Sequence, residues 1–542
     1  MNKDRVGNCG KIMQHPNNIV VLLGLVALVV ITTTSYQNIL APDIMEGRNF
    51  ITAQEIVNTG NWLIPSLFGE LRIAKPPLPT WLTSIAMLAG GTEVSLIVNR
   101  IPSALAGIFL AISFFGLTKT LTRSFRVSVL STAVLSTSYM FAFMAHRGTW
   151  DIHAVAFMTA MLWVVAELLN GQQFRPWLCL VAGCMFGFSF LSKGPVAFYA
   201  LLLPYCFAEC ATHGIARFRE NRKNILLLTA IGIAISASWY VVIWLAHPVA
   251  LLNMISQESS AWGNRHIQPF WFYLVQFPFM LGIWGIFATI TLFPNYAAKR
   301  LAPIIPYKNV LLWTLAIVVL LSLIPEKKDR YLLPVVIPLS ILVGGYLEYI
   351  IRTGFTVLSS KLLLKAHTFL FVLLLFCTIG LVVGSFFSRV ATAGSIMMKL
   401  IMITFCLAQI VLLWRMLKRQ QPVLLVTSFF SSLVLLLLIT PPLVQQLLPS
   451  RGTIPIAEIR EFVGNAQDKV YTLVSLRLQT QWIIGKPAEA ISAEALHSLP
   501  AGRSVIVAGA PLLPCEYFVV TGKYVAKNIK RNPLYFYSVQ RN

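Results

Sequence analysis

The chain has 542 residues, of which 57% are hydrophobic and only 12% charged. A soluble domain needs about 25% charged residues to cover its surface, so a water-soluble globular protein is excluded and most of this chain must face lipid. The formal net charge of +23 invites a nucleic-acid reading. The basic residues, however, fall in short clusters between apolar stretches, where they act as topology signals and anion ligands.

Apolar stretches long enough to cross a hydrocarbon core recur along the chain. They are expected near residues 18–35, 101–118, 126–144, 154–170, 176–192, 196–211, 225–246, 270–293, 309–324, 332–351, 367–388, 398–414 and 422–445, about thirteen helices in all. The first lacks a persuasive small-residue cleavage site and reads as a retained helix. The pair split by Ser192-Lys193-Gly194-Pro195 can also be drawn as one kinked helix. With the N-terminus inside, every inside segment carries Lys or Arg, as the positive-inside rule requires. This places residues 36–100 and the tail from about 449 outside. The chain then divides into a membrane domain, 1–448, with a first outside loop at 36–100, and a tail domain, 449–542. The tail alternates short β-like runs with helical patterns and reads as a small α/β domain. The cysteines lie mostly within apolar stretches and show neither metal spacing nor a disulfide framework.

Charges beside a bilayer are costly unless they pair or serve a ligand. Here they gather in the outside loops. The first offers Asp43, Glu46, Arg48, Glu55, Glu70, Arg72 and Lys75. The segment from Ile44 to Val57 has helical apolar spacing and is expected to lie in the interface. The next loop, AHRGTWDIH, supplies Arg147, Asp151 and His153. Later loops add Arg265 and His266, then Glu326, Lys327, Lys328, Asp329, Arg330 and Tyr331. Cations at a membrane edge suit a phosphate or pyrophosphate head group. Carboxylates suit deprotonation of an acceptor hydroxyl. Each has a blander role: Asp43 and Glu46 can cap a helix, and Lys75 can snorkel to lipid phosphates. Composition and spacing therefore reach a polytopic protein with an outward anionic-lipid site.

The loops carry further detail. Glu46-Gly47-Arg48 is followed by AQEIVNTGNWLIP, GEL, Lys75-Pro76-Pro77 and Arg100-Ile101-Pro102-Ser103. Later come Ser192-Lys193-Gly194-Pro195, Pro269-Phe270-Trp271-Phe272 and Lys328-Asp329-Arg330-Tyr331-Leu332-Leu333-Pro334. In order and spacing these resemble the bacterial aminoarabinose transferase and protein mannosyltransferase superfamily. The resemblance implies an all-α polytopic GT-C fold with the small α/β domain in the periplasm. It implies a bacterial inner-membrane enzyme with a cytoplasmic N-terminus. Such an enzyme takes a polyprenyl-phosphate-sugar donor, inverts the anomeric carbon and serves a periplasmic acceptor, whether a lipid A-type phosphate, another envelope glycan or a protein hydroxyl.

It also implies roles. The acids map to Glu46 and Asp151. The phosphate-binding residues map to Lys75, Arg48 and Arg265, with Arg330 beside them, and the late-loop tyrosine maps to Tyr331. Where the family has an Asp before the glutamate, this chain has Met45; either Asp43 substitutes by a local shift or that function is missing. The family's proposed metal ligands are replaced by Ala74 and Ser260, so that particular site is not expected here, and a divalent metal held elsewhere stays open. Two other readings fit the departures: a catalytically inactive member acting as an assembly partner, and a flippase for lipid-linked sugars.

Overall fold

A computed structural model describes residues 18–38, 41–91, 95–171, 173–264 and 266–357, single residues between 372 and 434, and most of 456–541. Among the described residues, helices Leu96–Thr122, Asp151–Asn170, Pro176–Lys193, Arg222–Ala246, Phe272–Thr291 and Asp329–Thr353 are long and apolar enough to cross a membrane. A bent pair, Phe125–Ser136 and Tyr139–Ala145, adds a seventh if its 63° break lies within one span. The break falls at Thr137-Ser138, where the Thr137 hydroxyl bonds back to Ala133 O and accepts the indole N–H of Trp284 at 2.8 Å. The shorter apolar helices Asn18–Thr34 and Tyr307–Leu323 match the expected spans at 18–35 and 309–324.

Other expected spans are shaped differently. The 196–211 stretch is a π-helical turn, Phe198–Leu202, running into the helix Leu203–His213. The helix before it stops at Lys193, where Gly194 takes φ 67°, a conformation that Gly adopts without steric cost. The two segments are thus separate helices. The 270–293 stretch is interrupted at Gly282. The expected spans at 367–388, 398–414 and 422–445 lie for the most part outside the described residues.

Helix packing follows membrane rules, in which small residues let backbones approach. A Cβ on Gly183 or Gly187 would meet Ile231 or Ile235 at 2.7 Å or less, so the helices Pro176–Lys193 and Arg222–Ala246 pack through that stripe.

Residues 41–91 form two helices around a short hairpin. Asp43 caps the helix Ile44–Thr59, with its Oδ1 accepting from the N–H groups of Met45 (2.8 Å) and Glu46 (2.9 Å). Glu46 reaches back to the Asp43 N–H at 3.2 Å, which completes a capping box. A short hairpin follows, β1 (Ser66–Leu67) and β2 (Glu70–Leu71), and Glu55 accepts from Ser66, Phe68 and Gly69 to hold it. The helix Leu78–Gly90 ends the segment.

The tail forms a five-stranded mixed sheet in the order β4-β3-β5-β7-β6, where β3 is Lys469–Thr472, β4 Ala488–Ala490, β5 Arg503–Ala508, β6 Phe518–Ala526 and β7 Leu534–Arg541. Strands β4, β3 and β5 are parallel, and β7 and β6 continue antiparallel. The sheet and the helices Ile456–Val463 and Leu478–Ile484 share one apolar core with Phe50, Ile51 and Ala53 of the Ile44–Thr59 helix. That helix was expected to lie in the membrane interface. Instead it is covered: Phe50 packs against Trp482 with tilted rings, centroids 5.1 Å apart. A Cβ on Gly47 would stand 2.8 Å from the Gln479 backbone.

Candidate active site between converging loops

A cavity of about 960 Å³ opens where the loops at one end of the bundle converge. Arg48 comes from the covered helix, Lys75 from the turn after the hairpin, and Arg330 and Tyr331 from the first turn of the Asp329–Thr353 span. Asp151 and Lys193 contribute from the ends of two spanning helices. Loop chemistry fixes each piece. Arg72 donates to Arg48 O and Thr52 Oγ1, both at 2.9 Å, and lies 5.2 Å over the Trp150 ring, clamping hairpin to helix. Burial, with the neighbouring Arg48 cation, pushes the Arg72 guanidinium down to about 10. On the opposite wall, Lys327 N–H donates to His266 O at 3.1 Å and Gln268 N–H to Pro325 O at 3.3 Å. This binds the segment after Arg265 to the Glu326–Tyr331 loop. Tyr273 locks the same loop by accepting from Lys328 N–H and donating to Lys328 O.

The Asp151 carboxylate is ion-paired with the Lys193 ammonium, and both are nearly inaccessible to solvent. Asp151 begins its helix, where the dipole favours a negative charge, and Lys193 ends another, where it favours a positive one. The same ammonium sits 4.7 Å over the Tyr331 ring, which Lys328 and Arg330 also approach at 5.7 and 5.9 Å. Glu326 pairs with Lys328. Ile73, Met254 and Ile255 give the cavity an apolar flank.

Of the residues singled out from sequence, Asp43, Arg48, Lys75, Asp151, Arg330 and Tyr331 line this one cavity. Arg265 lies outside the described residues, although the adjacent His266 is on the wall. Glu46 is the correction. It is fully buried and does not line the cavity. Arg100 grips it bidentately at 2.7 and 2.9 Å, Arg147 bonds it at 2.8 Å, and Gly148 N–H donates at 2.8 Å. Burial would raise this carboxyl, but Arg100, Arg147 and the Gly148 N–H together hold it below the usual carboxylate range. A carboxylate so saturated cannot also take a proton from an acceptor. Asp43 is half-committed: Oδ1 caps the helix, while Oδ2 lies 3.8 Å from Arg147.

Glu326 and Lys328, already among the late-loop charges, also line the wall, whereas sequence reasoning gave Lys193 no role beyond its motif. Lys193 had a signal, a lysine at a break between two apolar stretches, which is costly without a partner. The family's metal does not fit the residues present: Ala74 offers a methyl group, and the Ser260 hydroxyl bonds its own helix at Gln257 O. Among the described residues no three His, Cys, Asp or Glu side chains are grouped to hold an ion.

The family model described as dolichyl-phosphate-mannose-protein mannosyltransferase matches residues 74–247. The undecaprenyl phosphate-α-4-amino-4-deoxy-L-arabinose arabinosyl transferase of Pectobacterium atrosepticum is 24% identical over 60% of this chain and 58% of its own length. The Pseudomonas fluorescens enzyme is 26% identical over 56% of this chain and 52% of its own. The match thus spans little more than half the length of these curated relatives. The crystal structure of ArnT from Cupriavidus metallidurans bound to undecaprenyl phosphate superposes with a TM-score of 0.71 at 14% identity, covering 96% of this chain and 97% of that one. The fold is therefore that of a multi-pass, ArnT-like membrane protein. Over residues 74–247 the sequence is similar to that mannosyltransferase family.

Proposed function

We propose that the chain transfers a sugar from a polyprenyl-phosphate-linked donor to a periplasmic acceptor, with inversion, from the inner membrane. The observation that carries this is the convergence of Arg48, Lys75 and Arg330 on one cavity that also has an apolar flank. The named activity of the Pectobacterium relative and the lipid bound to the Cupriavidus structure support it. In this reading the polyprenyl chain lies along the apolar flank and its phosphate meets the three cations. An acceptor oxygen attacks the anomeric carbon, and the bond from that carbon to the phosphate oxygen breaks. The leaving phosphate gains charge, which Lys75, Arg48 and Arg330 stabilise. Asp151, ion-paired with Lys193, orients the acceptor and takes its proton where the acceptor is a hydroxyl. A phosphate acceptor is already an anion and needs no base. The expected topology, thirteen spans with a cytoplasmic N-terminus and a periplasmic tail domain, belongs to this proposal. Neither a metal nor another cofactor enters any step.

An inactive assembly partner is the second reading, favoured by Met45 and by the capping commitment of Asp43. The test is transfer by purified protein in lipid vesicles supplied with an undecaprenyl-phosphate-sugar. Lys75→Ala is expected to lower turnover by about 10²–10³-fold, as for removal of one transition-state donor. Turnover unchanged by the substitution refutes the phosphate clamp, and no sugar release by the unaltered protein favours the assembly partner.

A further inference from the structure

A second cavity, of about 230 Å³, lies at the other end of the bundle. Asp151 starts its helix at the first cavity; Leu169 and Asn170 end it at the second. Twenty residues of helix separate the two by about 30 Å. The wall is mostly polar. At its centre is Glu209, almost fully buried, whose Oε1 faces Arg217 and His213 and whose Oε2 accepts from Asn309 Nδ2 at 2.6 Å. Arg217 also donates to Asn170 Oδ1 at 2.9 Å.

These bonds neutralise the carboxylate and leave the site cationic. Arg217 uses only part of its five-donor fork. Arg123 stands at the mouth, exposed, with no hydrogen bond or ion pair from its guanidinium among the described residues. Asn309 is 2% exposed, lines this cavity, and its Oδ1 is buried without a partner. Its amide orientation is fixed, because Nδ2 must face the Glu209 carboxylate and Thr212. A buried acceptor left unpaired is costly, so the cavity calls for a ligand that donates one O–H while offering anionic oxygens to two guanidinium groups.

We propose that this cavity is a second anion site, for a phosphate group that carries a hydroxyl donor, with Arg123 and Arg217 on the anionic oxygens and Asn309 Oδ1 on the hydroxyl. Hydrogen phosphate and a glycerol-phosphate lipid headgroup share that chemistry. The site is distinct from the donor-phosphate clamp and stands whether or not that clamp does.

The full chain is purified in phosphatidylcholine nanodiscs unaltered, with Lys75→Ala, which weakens the first cavity's clamp, and with Lys75→Ala plus Arg123→Asn. Asparagine suits the left-handed backbone at Arg123, φ 53°, and an unchanged Tm without phosphate verifies folding. Inorganic phosphate is titrated calorimetrically at constant ionic strength, and discs containing phosphatidylglycerol are assayed for retained lipid by native mass spectrometry. Saturable phosphate binding that Arg123→Asn weakens by about tenfold or more supports a soluble ligand. Phosphatidylglycerol retention that falls similarly, without phosphate binding, supports a headgroup. Binding in neither arm, binding indifferent to Arg123→Asn, or phosphate binding that vanishes with Lys75→Ala alone overturns the site.

Discussion

At the scale of single residues, Glu46 separates structure from chemistry. Its carboxylate accepts from Arg100, Arg147 and Gly148 inside the protein. Removing one partner of a buried ion pair strands the other, at a cost of about 3–5 kcal/mol. Glu46→Gln is therefore expected to lower thermal stability in detergent sharply. The pH dependence has a definite sign. The folded carboxyl titrates below its ordinary range, so its stabilisation is complete above the unfolded value and lost as pH falls through the folded one. The stability gap between wild type and Glu46→Gln should be constant near neutrality and close only in acid; a gap that widens on acidification contradicts the assignment. Asp151 differs, because it lines the cavity. Asp151→Asn should reduce transfer to a hydroxyl acceptor far more than transfer to a phosphate acceptor, measured as turnover on each. Cations gathered at a membrane edge made Arg330 legible in the sequence, and the family resemblance made Lys75 so. Glu46 was legible only as important: its partners lie 54 and 101 residues away, a pairing that no local pattern encodes.

At the scale of elements, the helix Ile44–Thr59 links the five-stranded sheet of the tail to the cavity. Its sequence spacing gave the helix and its cap correctly. The same apolar face that suggested a lipid interface is buried against Trp482 and the Leu478–Ile484 helix. Amphipathicity says that a face must be covered, not by what. Gly47 sits where the two backbones meet, 2.8 Å from an added Cβ. Gly47→Ala should shift the helix that carries Arg48 and cost about 1–3 kcal/mol as overpacking does. The expected outcome is a lower Tm together with a raised KM for the lipid-linked donor. An unchanged Tm and KM would show that the tail does not position the helix.

At the scale of the whole molecule, two cavities occupy opposite ends of a helical bundle, and the outer one draws its walls from segments scattered between residues 43 and 331. The hydropathy pattern announced the bundle, because lipid demands long apolar helices. The broken helices at Thr137-Ser138 and Gly282 were not legible, since a bent span has the same composition as a straight one. The central claim is that the outer cavity holds a carrier-lipid phosphate with Arg48, Lys75 and Arg330. Native mass spectrometry of purified protein titrated with undecaprenyl phosphate tests it most directly. The account predicts stoichiometric retention by the wild type and loss in the triple variant Arg48→Ala, Lys75→Ala, Arg330→Ala, folded as judged by circular dichroism. Equal retention by a folded triple variant would contradict it.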